Sequence, residues 1–427
     1  MNAELVRNLW LEITPQRLIA MPAVLGLVFA IAHVAEGADA LRTTAWWMGL
    51  GLGVIWGTRQ AAGAVMGEVA ARTWDSQRAS ALTAAEMTFG KLFGATAYAW
   101  YGVAICLAVF LAAGGDVARG ASLGLRVLFA HGVALFASLA LLALGGRALV
   151  LTSLPHLAGI LAGAGMDDPL AWAVEETGWY GLGVDGAVFA LATSALFCGW
   201  SVLGAWRLMG RELTVPQRRW AWPAFAVFVA AFAGGFGWSE GAVGALRAAF
   251  LATTIAVAAA ALLEPKSRGE IVRLLGGRVG DAPPSVQALA LAAILAVLLG
   301  FRGVAVPEVM GSDFATLLPV SVVLFLARDI ALTRLVALRA GGVRGAVTAI
   351  VWFVVLYAAV PGLLGAVDVA VLLPFFLPVP VVGLGAGTFL TLGAPAVQAV
   401  LLWALLAGRV RTGRAGRPAL PTTGARA

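Results

Sequence analysis

The chain has 427 residues, 61% of them hydrophobic and 12% charged, with a formal net charge of +7. A soluble fold of this length needs two or three domains with polar surfaces, which 29 basic and 22 acidic residues cannot cover. Soluble enzymes, disordered tails and nucleic-acid binders therefore fit poorly, and an all-α polytopic membrane protein fits well.

A membrane-crossing helix needs about 20 mostly apolar residues. In chain order such runs fall at 19–35, 45–62, 92–113, 122–146, 148–165, 183–206, 221–238, 241–263, 284–301, 312–327, 345–365 and 389–408, about 12 spans. Pro155 and His156 interrupt the fifth, and the tenth is short. A further apolar stretch, 369–384, holds Pro374, Pro378 and Pro380, which argue for a re-entrant or interfacial element over a regular span.

Charge sets the orientation. With a cytoplasmic N-terminus and alternating spans, only Arg42, Arg119, Arg126, Arg247 and Arg302 of the 29 basic residues fall on or near the outer side. Asp167, Asp168, Glu175 and Glu176 also fall outside. This bias is the positive-inside pattern, and it places both termini in the cytoplasm of a bacterial inner membrane. The Arg-rich tail 409–427 then lies against anionic headgroups, so the basic excess is a membrane signature with no call for nucleic acid.

The layout repeats. Residues 1–208 and 221–408 each hold six spans, and each has a charged cytoplasmic segment after its second span, at 63–91 and 264–283. Each also has an irregular outer element before its last span, at 166–182 and 366–388. The polar linker 209–220 joins the halves, which suggests a six-plus-six repeat.

Little catalytic chemistry is available. Cys106 and Cys198 sit in apolar runs and make neither a disulfide framework nor a metal site. His33, His131 and His156 have no metal-ligand spacing and read as hydrogen-bonded interface residues. Arg126 and His131 share one span and are the alternative candidates for lining a substrate path. Asp329 is placed at an inner span edge beside Arg328, leaving no carboxylate at mid-span for an ion-coupled carrier. Gly90-Lys91 continues into Leu92 and lacks the hydroxyl of a phosphate loop, so this chain binds no cofactor by that route.

The most informative stretch is 68–94, EVAARTWDSQRASALTAAEMTFGKLFG. Glu68, Arg72, Asp75 and Arg78 come first. A short helix follows, with Thr83 as N-cap and Glu86 three residues on. Gly90 is expected to break that helix, and Lys91 stands where the chain enters the third span. This run resembles the coupling region of ABC exporter permeases of the second type. Thr73-Trp74-Asp75 matches the T-[LW]-[ED] of that family, Thr83 its break, Glu86 its acidic residue and Gly90-Lys91 its G-K. Arg72 replaces the usual Gly, and Ala81 stands where a Pro is common.

Residues 2–18 resemble the family's amphipathic elbow helix, with Trp10, Ile13 and Leu18 toward lipid and Arg7 and Arg17 at headgroups. The resemblance covers residues 1–113 best. It implies a cytoplasmic ATP-binding subunit as partner, carrying ATP and magnesium. Glu68, Arg72, Asp75, Arg78 and Glu86 would orient the docked segment, and Trp74, Leu82 and Met87 would anchor it. Outer elements 166–182 and 366–388 would form an exit gate, with Trp172, Trp179 and Tyr180 at the outer interface. One chain would supply both permease units if the halves are repeats; otherwise it pairs as a homodimer or with a second permease. The competing readings are an ion-coupled secondary transporter and a non-transport integral membrane protein.

Overall fold

A computed structural model describes residues 2–145, 153–165, 176–216, 220–264, 266–276, 282–302, 312–340, 342–378 and 387–415. Residues 148–152 of the fifth span, the first part of the outer element 166–182 with Trp172, residues 277–281, residues 379–386 and the end of the tail lie outside them. The chain divides into two compact units, Met1–Arg218 and Arg219–Ala427, at a point inside the 209–220 linker read from the sequence.

The first unit runs α1 (Ala3–Glu12), α2 (Pro15–Leu50), a π-turn at Gly51–Gly57, α3 (Thr58–Ala70), α4 (Trp74–Arg78) and α5 (Ala84–Phe89). A second π-turn, Gly90–Gly94, leads into α6 (Ala97–Ala112), α7 (Val117–Ala143), α8 (Ser153–Gly165), β1 (Glu176–Trp179), β2 (Leu182–Asp185) and α9 (Gly186–Glu212). The second unit holds α10 (Ala221–Gly237), a 3₁₀ turn at Trp238–Glu240, α11 (Gly241–Leu263), α12 (Arg268–Leu275), α13 (Pro284–Arg302) and α14 (Ser312–Ala340). It ends with α15 (Gly342–Val354), a π-turn at Val355–Ala359, α16 (Val360–Ala366), a 3₁₀ segment Ala370–Phe375 and α17 (Gly387–Ala415).

The architecture is all-α and membrane-like. Among the described residues seven helical runs are long and apolar enough to cross a membrane, and α5 with its π-turn plus α6, bent by 53°, makes an eighth. That count falls short of twelve for identifiable reasons. The run Pro15–Ala70 merges two marked spans across Gly37, whose φ of 78° and ψ of −156° are not helical. The run Ala221–Leu263 likewise merges two across Gly241, φ 74°. The described part of α8 has only 13 residues, and α14 carries Arg328, Asp329 and Arg334.

The sequence of α1 is amphipathic in an inverted sense. Its polar Glu4 and Asn8 are buried, while Trp10 is 80% and Leu11 63% exposed. Such a helix is stable only where the outer medium is apolar or interfacial. Thr14 caps the next helix and Pro15 opens it, so the elbow is ten residues long and Leu18 belongs to α2.

Helix packing in the first unit rests on small residues. Gly49, Gly53 and Gly57 recur every fourth position, and Leu123, Val127 and His131 of α7 seat against them. A Cβ would stand 2.2 Å from Val127 at Gly53 and 2.0 Å from His131 Nε2 at Gly57. This is the small-xxx-small contact of membrane helices, in which backbones approach closely without a hydrophobic drive. Met21, Leu25, Phe29, Trp46, Val54, Tyr98 and Phe110 fill the neighbouring core.

Helix prolines free carbonyls that side chains then meet. Pro22 has no N–H for the Leu18 carbonyl, and the Tyr101 hydroxyl donates to it at 3.1 Å. Pro395 of α17 similarly releases the Thr391 carbonyl, which accepts from Ser321 of α14 at 2.9 Å. The core of the second unit is alanine-rich, with Ala226, Ala230, Ala249, Ala261, Ala288, Ala292 and Ala296 buried between α10, α11 and α13.

The outer element before α9 is more regular than expected. Over 176–185 it is an antiparallel hairpin pairing Glu176 with Asp185 and Trp179 with Leu182. Tyr180 (φ 52°) and Gly181 (φ 75°) form its two-residue turn, the left-handed pair that suits strand twist.

Gly53→Val should cost about 2 kcal/mol through overpacking against Val127. Gly63, with open space around its Cβ position, should gain a few tenths of a kcal/mol or more as Gly63→Ala. Unfolding midpoints of the two purified variants in detergent check this pair of opposite signs.

Candidate functional site

The sequence singled out residues 68–91, and the structure organises them around one amine. Lys91 is 1% exposed. Its Nζ lies 2.5 Å from Glu68 Oε2, 3.0 Å from Glu4 Oε1 and from Gln77 Oε1 and 3.1 Å from the Ala64 carbonyl, so its three N–H groups are shared among four acceptors. The Trp74 ring lies 5.4 Å from the same atom. Five partners on α1, α3 and α4 therefore converge on a lysine of the second π-turn. Arg7 extends the cluster, reaching Glu68 Oε1 at 2.5 Å and Glu4 Oε1 at 3.0 Å. Gln77 donates to Glu68 Oε1 at 2.5 Å.

A buried ammonium with this many partners is satisfied, whereas one left alone would be costly. The same balance acts on Glu4. Burial would raise its carboxyl, but the charge and hydrogen bond of Lys91, with Asn8 and Arg7, hold it below the ordinary value of 4.5.

Gly90 has a different role from the expected one. Its φ of −60° and ψ of −40° are helical, so α5 continues through it and the 53° bend comes after Gly94. Gly90 is instead a close-approach position. A Cβ there would stand 2.5 Å from Glu4 Cγ and 2.9 Å from the Leu5 nitrogen, and one on Gly94 would stand 2.8 Å from Asn8 Cβ. The two glycines let α1 lie directly on the π-turn. Asn8 then donates to the Gly90 carbonyl at 3.4 Å, and Asn2 to the Glu86 carbonyl at 2.8 Å.

Arg72 is the left-handed residue of a helix C-cap. At φ 60° it lets Thr73 N–H return to the Glu68 carbonyl (2.9 Å) and its own N–H to the Val69 carbonyl (3.2 Å), the double closure that normally employs glycine. Thr83 and Glu86 cap α5 reciprocally, at 3.2 and 2.9 Å. Glu86 is thereby committed within its own helix.

The expected anchors are turned inward. Trp74 and Met87 are buried with Val65, Leu92, Leu135, Leu139 and Met209, and Leu82 is half-buried against them. They hold the segment onto α3, α7 and α9 and present little surface to a partner. Glu68 is likewise turned toward Lys91. The outward rim consists of Arg72, Thr73 and Asp75, with Ser80, Ala81 and Thr83 beyond. Asp75, 79% exposed, pairs at 3.6 Å with Arg78, which also donates to the Glu212 carbonyl at 2.9 Å. These residues border an open cleft of about 250 Å³ with Leu213 and Thr214.

Arg126 and His131, the candidates for a substrate path, each bond a neighbouring helix carbonyl. Arg126 caps the C-terminal turn of α8 through its Nε–H to the Gly163 carbonyl and Nη2 to Ala164 at 3.5 Å. His131 is fully buried, donating Nε2–H to the Gly53 carbonyl at 2.8 Å beneath Trp100. His156 meets Thr58 Oγ1 at 3.0 Å, whereas His33 lies on the exposed side of α2.

The second unit has a related node. Glu264, just past α11, accepts from Arg334 at 2.5 Å, from Ser285 Oγ at 2.7 Å and from the Ser285 N–H at 3.1 Å. The described part of 264–283 then forms α12, capped reciprocally by Ser267 and Glu270, with Ile271 buried against Leu406 and Val410. Burial pushes the Lys266 ammonium down to about 8. Asp329, expected at a span edge, lies inside α14 and is buried with Arg328.

Glu4, Asn8 and Gln77 were not anticipated as site residues. The signal for the first two is in α1, where polar Glu4 and Asn8 share a face four residues apart in a helix whose other face is apolar. Among the described residues no cluster of His, Cys, Asp and Glu suits a metal ion.

Lys91→Met leaves buried Glu4 and half-buried Glu68 with only the half-exposed Arg7 as cation and should cost about 3 kcal/mol. Because the folded carboxyl of Glu4 titrates below 4.5, its contribution is fully present above pH 4.5 and lost as pH falls through its lowered value. Unfolding midpoints at pH 7 and pH 4 should separate less in Glu4→Gln than in the parent chain. Arg72→Gly should stabilise by about 1 kcal/mol by relieving the left-handed backbone, read in the same unfolding assay.

No protein-family model, curated protein or solved structure matches the chain.

Proposed function

We propose that the chain is the membrane-spanning permease subunit of an ABC exporter. A separate cytoplasmic subunit would bind ATP and magnesium and drive it. The carrying observation is the Lys91 node, which clamps segment 68–91 onto α1 and α3 just before the chain enters α6. A partner that moves the exposed rim of α4 and α5 therefore moves the apolar helices with it. The resemblance gains support from the left-handed Arg72, since the family pattern has glycine at that position.

In this reading the protein lies in a bacterial inner membrane with both termini cytoplasmic. Division of the long runs at Gly37 and Gly241 supports about twelve crossings, six per unit. The two units favour one chain supplying both permease halves over a homodimer. In each, a glutamate in the charged segment after the second marked span is bound to a buried cation, and a helix with a reciprocal cap follows. Segment 264–283 is then the second docking element. Asp329, buried beside Tyr357, favours the ion-coupled carrier as the second reading, but its charge is already matched by Arg328.

Affinity purification from native membranes should recover an ATP-binding subunit with the full chain. The double reversal Arg72→Glu and Asp75→Arg alters only exposed side chains and should weaken that complex about tenfold, or about 1.4 kcal/mol, with an unchanged unfolding midpoint. Full retention of the complex would overturn the proposal. Gradient-driven uptake by the chain alone in liposomes would favour the ion-coupled carrier.

A further inference from the structure

The second unit contains a buried charged cluster that the docking segments do not use. Arg328 is 2% exposed on α14. Its Nε donates to Asp329 Oδ1 at 2.9 Å and its Nη1 to Gln398 Oε1 of α17 at 3.0 Å. The Tyr357 hydroxyl, from the π-turn Val355–Ala359, donates to Asp329 Oδ2 at 2.5 Å. The rings of Phe325 and Tyr357 lie 4.6 and 5.1 Å from the guanidinium carbon. Ionisable groups are costly inside an apolar helix bundle and persist there for a purpose.

The purpose shows in what the cluster grips. Gln398 Nε2 donates to the Phe375 carbonyl at 2.9 Å, and Arg328 Nη1 lies 3.5 Å from the same oxygen. Phe375 ends the 3₁₀ segment Ala370–Phe375, which the left-handed Asp368 (φ 55°) keeps from joining α16 as one helix. A carbonyl at the end of such a segment has no helical partner, so Gln398 and Arg328 supply one. The segment itself exposes Val371 and Leu372 and packs on α16 and α17.

We propose that residues 369–378 are a releasable strap, held closed by a polar clamp of Gln398 and Arg328 on the Phe375 carbonyl. Asp329 and Tyr357 are positioning residues that orient Arg328. The clamp is local. It involves one carbonyl and two donors on α14 and α17, and those helices are joined independently by Ser321 to the Thr391 carbonyl and by Trp403 Nε1 to the Ala327 carbonyl at 3.1 Å. The strap can therefore open while α14 and α17 stay packed. This inference does not depend on the exporter reading.

Hydrogen exchange read by mass spectrometry on the full chain in lipid nanodiscs tests the proposal. In the unmodified chain the amides of 369–378 should exchange as a unit ahead of those of α14 and α17. Gln398→Leu, which keeps the side-chain volume and removes the grip, should speed exchange in 369–378 by about tenfold or more. Peptides of α14, α17 and α7 should hold their parent rates. Exchange of 369–378 in step with α14 and α17 in the unmodified chain would overturn the strap, and that measurement needs no variant. Unchanged exchange in Gln398→Leu, or acceleration spread equally over α14 and α17, would overturn the clamp.

Discussion

A backbone carbonyl released from its helix inside an apolar medium has no water to bond, so a neighbouring side chain must meet it. That constraint organises both units. Tyr101 answers the Leu18 carbonyl below Pro22, His131 answers Gly53 in the first π-turn, and Arg126 answers the end of α8. Ser321 answers Thr391 below Pro395, and Gln398 answers Phe375 at the end of a 3₁₀ segment. Prolines, π-turns and broken segments are thus tolerated where a donor stands opposite. The polar residues that look like chemistry in the sequence are largely spent on this task.

Lys91 carries the same logic into charge. Its amine joins the N-terminal helix, the end of α3 and the short α4 in one place, and Gly90 and Gly94 bring α1 close enough for Glu4 to reach it. The second unit reaches a comparable result with other residues, Arg334 on Glu264 with Ser285. In both, a buried cation ties the end of an apolar helix to its neighbours, α3 to α1 and α4 in the first unit and α11 to α13 and α14 in the second. Surface residues such as Asp75 and Arg72 are therefore mounted on a stiff base.

Much of this fold is legible in the residues. The apolar runs located the helices, the Thr83–Glu86 spacing located a capped helix, and Thr73-Trp74-Asp75 with Gly90-Lys91 marked the segment that packs around Lys91. The inward turn of Trp74, Met87 and Glu68 was not legible, because a short amphipathic stretch does not reveal whether its apolar side meets a partner or its own bundle. In the sequence Gly90 suggests a breaker, since a glycine before a span often marks a bend. Only the position of Glu4 shows that the missing Cβ is needed for close approach. Gly49, Gly53 and Gly57 carried a readable spacing that becomes meaningful once α7 is seen across from it.

Composition and the length of the apolar runs alone point to an all-α, membrane-like fold, because lipid admits little else. The tertiary structure decided which of the few polar groups face one another. Glu4 and Lys91 are 87 residues apart, and Arg328 and Gln398 are 70 apart. Sequence patterns report local burial and period. A pairing across such distances exists only after the helices pack, when the cost of an unmatched charge or carbonyl selects the partner. The excess of basic residues noted first thus divides into two sets, exposed arginines such as Arg72 and buried cations such as Lys91, Arg328 and Arg334 that hold the helices in place.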